Sequence, residues 1–310
     1  MQMLKWFVGA LALLAVACGE VSETSTPVIR DGEGLLELPL VSTSAGRSYK
    51  LVGATFAITG PQNATITDTS AESVSLPLMA GTYTIQMNGE WHVERTDAPG
   101  VTVPVTLVSP NPMSFTLGEG ETRPVRFLFK VPEDGTANVG IGVDTGGWIS
   151  GTIDFEPRYQ PVPSDPQDVF AELGEKSISF VISFESATVT RSAEYGRKQA
   201  QVQTSPVTVQ LGGPVPAAVL QRFVAPLQGR TMNFLMESYP SYAELIGSIR
   251  LENMEQNVRF ELDPQNLVLG VDAEGYPLLQ SVPFTGLAIF SAGPSPTIYG
   301  AVDDGTFAPR

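Results

Sequence analysis

Apolar side chains alternate with polar ones along most of the first half of the chain. Leu36, Leu38 and Leu40 fall on one face, and so do Val74, Leu76 and Leu78, then Val101, Val103, Val105 and Leu107, then Val125, Phe127, Phe129 and Val131. A period of two marks half-buried β-strands. One run changes phase: Tyr49 and Leu51 alternate up to Gly53, after which Ala54, Phe56 and Ile58 take the opposite parity. This predicts a bulge or sharp bend at Gly53 that restores the core-facing side. Asn88-Gly89 predicts a hairpin. A three-residue loop of Met87, Asn88 and Gly89, with Gly89 left-handed, sets Ile85 opposite Trp91 and Tyr83 opposite Val93, and turns His92 outward beside Thr84.

In the second half, strands are predicted at Phe180, Ile182 and Phe184, at Val207, Val209 and Leu211, at Ile249 and Leu251, at Val258, Phe260 and Leu262, and at Phe284 with Leu287 and Ile289. One helix is predicted between Pro216 and Ala225. Val219, Leu220, Phe223 and Val224 form its apolar stripe, Pro216 suits its first turn, and Pro226 stops it. Between the halves, the stretch EPRYQPVPSDPQD holds four prolines and no apolar period, the mark of a stiff extended linker. The fold class is therefore all-β: a sandwich over 34–156, a Pro-rich linker over 157–168, and a second sandwich-like domain over 169–310 that carries the one short helix. The passages 141–148 and 269–276 each run a strand into an Asp/Gly turn followed by an aromatic, which is shared turn chemistry.

The N-terminus follows a different pattern. Lys5, an apolar run from Trp6 to Ala17 and small residues up to Cys18 have the three-part layout of a secretory signal. As a helix that run would extend about 18 Å, too short for a hydrocarbon core of about 30 Å, so it predicts a cleaved leader over 1–17. Ala15-Val16-Ala17-Cys18 resembles the lipobox of bacterial lipoproteins, with Ala15 where leucine is usual. The resemblance implies cleavage between Ala17 and Cys18, acylation of the Cys18 thiol, and a membrane anchor made by lipid. Gly19 after Cys18, where an inner-membrane retention signal would tend to place Asp, points by the same analogy to the outer membrane. Residues 18–33 are polar and acidic, as a short tether would be.

Leu78-Met79-Ala80-Gly81-Thr82-Tyr83-Thr84-Ile85 resembles the edge of a transthyretin-like, carboxypeptidase-regulatory-like module. More broadly, 34–145 is similar to the N-terminal sandwich of a family of uncharacterised bacterial lipoproteins, in which a segment like Ser109-Pro110-Asn111-Pro112 precedes a strand and a final Phe/Val alternation. These motifs mark turns and imply an architecture without specifying an activity.

Charge narrows the function classes. The chain carries a formal net charge of −15 over 310 residues, and loss of Lys5 with the leader makes it −16. A surface this acidic repels phosphate backbones, so no nucleic-acid partner is expected. The single cysteine excludes an internal disulfide and, once acylated, is spent as a nucleophile. The single histidine, His92, stands near no nucleophile-like turn, and no G-x-S-x-G is present, so neither a hydrolase triad nor a zinc site is expected. Asp144, the pair Asp272 and Glu274, and the pair Asp303 and Asp304 are the carboxylates open to calcium or glycosidase chemistry, but D-x-D-x-D-G is absent and turn chemistry accounts for them. Tyr239-Pro240-Ser241-Tyr242 could stack on a sugar or on a partner's side chain.

The expectation is a protein without catalytic residues, metal or cofactor. It would bind an envelope protein through loops or strand edges in a structural, adhesive or assembly role. A glycan- or small-ligand-binding lipoprotein and a carboxylate-dependent envelope hydrolase are the alternatives.

Overall fold

A computed structural model describes residues 27, 29–44, 47–130, 138–140, 147–157, 168–194 and 197–309. The leader, Cys18, the tether up to residue 26, Asp144 and residues 158–167 of the linker lie outside the described residues. The protein is all-β with one short helix. No helix among the described residues is long and apolar enough to cross a membrane.

The first unit is a β-sandwich. One layer pairs Thr55–Thr59 with Ala64–Ile66 and with Gly81–Asn88, which in turn pairs with Met113–Leu117. The facing strands include Glu33–Pro39 with Ser73–Met79, and Arg47–Val52 with His92–Arg95. Leu36, Leu38, Leu40, Tyr49 and Leu51 meet Phe56, Ile58, Tyr83 and Ile85 in one apolar cluster. The phase change at Gly53 is real, and larger than a bulge: here the chain leaves one layer and enters the other, with Gly53 at φ +73°.

The hairpin predicted at Asn88-Gly89 does not form. Gly89 is left-handed, at φ +90°, but Gly81–Asn88 and His92–Arg95 lie in different sheets, so 89–91 is a second crossing between layers. The two crossings touch. A Cβ on Gly89 would lie 2.8 Å from the Gly53 carbonyl oxygen, and a Cβ on Gly53 would lie 2.8 Å from that of Glu90. Glycine is needed at both places for its backbone conformation and for this approach. His92 accordingly sits opposite Val52, not beside Thr84, and its Nε2 lies 2.8 Å from a Glu94 carboxylate oxygen.

The second unit uses the strand Gly147–Phe155, which the sequence groups with the first sandwich. It pairs with Ser177–Phe184 on one side and Ile298–Ala308 on the other, and its Ile149, Ile153 and Phe155 belong to the second apolar cluster. The hydrogen-bonded order then follows the chain. Ser177–Phe184 continues as Ala187–Glu194, returns as Arg197–Thr204 and Val207–Gly212, and is followed by Asn233–Ser238, Ala243–Asn253, Val258–Gln265, Val282–Ala292 and Ile298–Ala308.

The long hairpin keeps one register throughout, from Ser179 opposite Gly212 to Glu194 opposite Arg197. It is kinked where the Ser205 hydroxyl accepts the N–H groups of Glu185 and Ser186, each at 3.1 Å. Because the hairpin is continuous, the two ends of the sheet meet along it. The sandwich-like reading thus resolves into a closed up-and-down barrel of eight strands.

Aromatic rings fill the barrel. Phe290 stacks on Phe223 at 4.2 Å and meets Phe155 at 5.2 Å and Phe260 at 5.3 Å. Phe223 comes from the helical segment 217–227, whose Val219, Leu220, Phe223 and Val224 are all buried, as the stripe predicts. The segment passes Pro226 and ends at Leu227 instead of stopping before the proline. The turn over Leu220–Val224 widens to π-helical bonding just ahead of Pro226, which has no N–H to donate.

The outer wall carries charge: Arg250 on the neighbouring strand lies 3.0 Å, and Arg259 on the same strand 3.6 Å, from the Glu261 carboxylate. This wall is the reverse of an apolar, lipid-facing barrel surface.

The sheet of the sandwich runs on into the barrel, because Met113 and Ser114 pair with Gly212 and Leu211. Gln210 fastens the join. Its amide donates 2.8 Å to the Arg126 carbonyl, while its carbonyl oxygen accepts from the Ser109 hydroxyl at 2.9 Å.

Candidate functional site: a free strand edge and the polar rim of the barrel

Beyond the kink at Glu185 and Ser186 the first strand of the long hairpin runs past its pairing with Gly147–Phe155, while the return strand Arg197–Thr204 stays in the wall beside Asn233–Ser238. Ser177–Phe184 is paired on both sides, whereas among the described residues Ala187–Glu194 is paired only with Arg197–Thr204. Residues 188–193 are all exposed. Thr188, Val189 and Thr190 favour the extended conformation, and the strand contains no proline or glycine.

Natural sheets protect their edges with proline, short length or charge. The other outer strands here obey that rule. Ser73–Met79 contains Pro77, Ala98–Val103 contains Pro99, Thr122–Pro124 ends on proline, and Ala64–Ile66 spans three residues. Ala187–Glu194 runs for eight residues with one charge in its interior, Arg191.

That charge is already held. Arg191 Nη2 lies 3.0 Å from the Asp272 carboxylate and Nη1 3.8 Å from that of Glu274. The Arg191 guanidinium and the Lys198 ammonium each stand 5.0 Å from the centre of the Tyr276 ring, and Lys198 also donates to the Glu274 carbonyl. These contacts tie the segment 266–281 to the hairpin, while Leu267 and Leu269 from the same segment are buried in the barrel core. Asp272 also closes its own turn, accepting the N–H groups of Glu274 and Tyr276 at 2.9 Å each. The Tyr276 N–H and then Arg191 hold its carboxyl below the usual carboxylate range.

Beside the hairpin, Glu237 is 5% exposed; it accepts 2.8 Å from the Gln199 amide and 2.7 Å from Arg197. Those two contacts, Gln199 first, lower its pKa. Tyr239 and Tyr242 lie at the rim, where their rings stack on each other at 4.9 Å and 16°. Each ring covers one face of the other, so the two do not make the coplanar open surface on which a sugar would lie. A bond to Glu244 raises the Tyr239 pKa.

Of the remaining carboxylate candidates, Asp144 lies outside the described residues and Asp304 has structural partners. Asp303 and Asp304 form a β-bulge in Ile298–Ala308: both neighbouring strands shift register there, so two consecutive side chains point outward. Asp304 makes good the interrupted ladder by accepting the Thr152 N–H at 2.6 Å and the Thr152 hydroxyl at 3.0 Å. Among the described residues no group of His, Asp and Glu is placed to hold a metal ion.

Where the two units join, the paired strands diverge after two residues and leave a cleft of about 30 Å³ lined by Met113, Thr116, Arg123, Leu220 and Gln228. Gln228 fills the position of an absent strand, its amide bonding both the N–H and the carbonyl of Val209 at 3.0 and 2.7 Å.

The structure thus brings Tyr239 and Tyr242 together but leaves Ala17 and Cys18 outside the described residues. Pattern reading missed the free edge and its Arg191 anchor. The run ATVTRSAE states its strand propensity plainly, but nothing local says that one side goes unpaired. Compared with protein-family models, with curated proteins and with solved structures, the chain matches none.

Proposed function

We propose that this is a lipid-anchored protein of the bacterial cell envelope, held at the outer membrane through Cys18, that acts as a structural or assembly module without catalysis. It would bind an extended segment along Ala187–Glu194. The observation that carries this reading is the contrast among the outer strands: one long strand lacks the proline or short length that protects the others, and its only interior charge is turned to its own Asp272. An extended segment added there gains a ladder of main-chain hydrogen bonds, with side-chain choice supplying specificity. The lipobox-like stretch ending at Cys18 supports the location, and two or more acyl chains make attachment effectively stable.

A photocrosslinking residue at position 190 in intact cells tests the binding role. A discrete adduct that Val189→Pro abolishes is expected; no adduct, or one indifferent to the proline, refutes it. Cys18→Ala separately tests the anchor, with loss of fatty acid and release from the membrane fraction expected.

A further inference from the structure

The strand that adds at this edge can be specified from the hydrogen-bond alternation, an argument that rests on the strand addition proposed above. Thr204 donates its N–H to the Met232 carbonyl, away from the edge strand. Ala187, opposite Thr204, is therefore in a non-hydrogen-bonded pair, and by alternation so are Val189, Arg191 and Ala193. The N–H and C=O groups of these four residues point away from the hairpin. An antiparallel partner must present outward groups in the matching places.

We infer that the added strand is Ala187–Glu194 of a second copy, running antiparallel about a two-fold axis at Thr190. This register sets Val189 opposite the second copy's Arg191 and Ala187 opposite its Ala193, so every outward group finds one of its own kind. Thr190 faces its own equivalent, and Thr188 faces Ser192, pairing hydroxyl-bearing side chains across the join.

The neighbouring registers are worse. Moving the axis half a residue sets outward groups against inward ones. Moving it to Arg191 places two like charges directly opposite each other, and moving it to Val189 leaves Ser192 and Ala193 without partners. With the axis at Thr190 the one interior charge lies opposite valine and stays on Asp272 of its own copy. The contact is isologous and closed, so it ends at a dimer instead of growing into a fibre, and it makes the two barrels one continuous sheet.

Disulfide trapping in the full chain tests the register. At the axis, position 190 is a close, non-hydrogen-bonded pair with a Cα separation of about 4.5 Å, within reach of a disulfide. Under mild oxidation Thr190→Cys alone is expected to form a covalent dimer beyond any formed by the unsubstituted protein through Cys18. Thr188→Cys and Ser192→Cys should each stay monomeric alone and crosslink when mixed. Val189→Pro removes one outward N–H, leaves the hairpin's own bonds in place, and should abolish both the trapped dimer and the dimer seen by sedimentation velocity.

Equal crosslinking at all three positions, or none at 190, overturns the second-copy inference. A proline-sensitive adduct to a different envelope protein would overturn it too while leaving strand addition standing. Adducts that the proline does not affect would remove both readings.

Discussion

The packing of Gly305 against Phe284 offers a test of the pairing of the last two barrel strands in which the perturbation and its rescue touch the same atoms. A Cβ added to Gly305 would stand 2.5 Å from Phe284 Cζ and 2.6 Å from Cε1 and Cε2. Carbon atoms pack at about 3.5–4.0 Å, so the ring of Phe284, only 3% exposed, must be displaced by about 1 Å inside a filled core. Overpacking of this kind costs about 1–3 kcal/mol. Alanine returns about 0.5–1 kcal/mol of backbone entropy relative to glycine, which leaves Gly305→Ala destabilised by about 1–2 kcal/mol. Phe284→Leu alone should cost about 1 kcal/mol, the difference between typical Phe→Ala and Leu→Ala losses. Leucine lacks the three ring atoms that the new methyl would strike, so the double variant should keep the backbone gain without the clash and be about 0.5–1 kcal/mol more stable than Phe284→Leu alone. The coupling between the two sites would then be the relieved clash itself, about 1–3 kcal/mol of recovered stability. Urea unfolding followed at Trp148, which lies in the barrel strand Gly147–Phe155, measures all four proteins. Additive losses within about 0.5 kcal/mol would mean that the ring does not lie against Gly305 and that these two strands are not paired as described.

Three further outcomes follow from the site. Asp304→Ala removes the acceptor for both the Thr152 N–H and its hydroxyl and should cost about 1 kcal/mol. A chelator should leave the unfolding midpoint of the unsubstituted protein unchanged, and a chelator-sensitive midpoint would revive a metal role for Asp303 and Asp304. For Glu237, whose folded pKa is lowered by Gln199 and then Arg197, the stabilisation is complete above its unfolded value and is lost as pH falls through the folded one. Glu237→Gln should therefore flatten the acid side of the stability profile measured by thermal unfolding. An unchanged acid limb would show that the carboxylate contributes nothing there.

Much of the fold was legible in the sequence because burial leaves a period. Leu36, Leu38 and Leu40 are each at most 1% exposed, the parity switch at Gly53 marks a real change of direction, and the stripe on the helix faces the core. A period reports which face of an element is buried, and it says nothing about which strand lies alongside. Asn88-Gly89 therefore carries the pattern of a hairpin and forms a crossing between layers, since a left-handed glycine serves both. In the strand predicted at Phe284, Leu287 and Ile289, it is Ala288 and Phe290 that share the buried face with Phe284, while Leu287 and Ile289 are half-buried on the other. The extra residue in that part of the sheet sits in the neighbouring strand, at Asp303 and Asp304.

The local pattern of the chain determined its all-β class, its one short helix, most of its core residues and the expectation of a lipid on Cys18. The tertiary structure alone decided that the second sheet closes on itself, that Gly147–Phe155 belongs to it, and that Ala187–Glu194 has an open side among the described residues. The physical reason is that strand pairing is made by backbone groups nearly identical at every residue. Which strands meet is settled only when the buried faces of distant segments pack together, and an unpaired edge is what remains once that packing is complete.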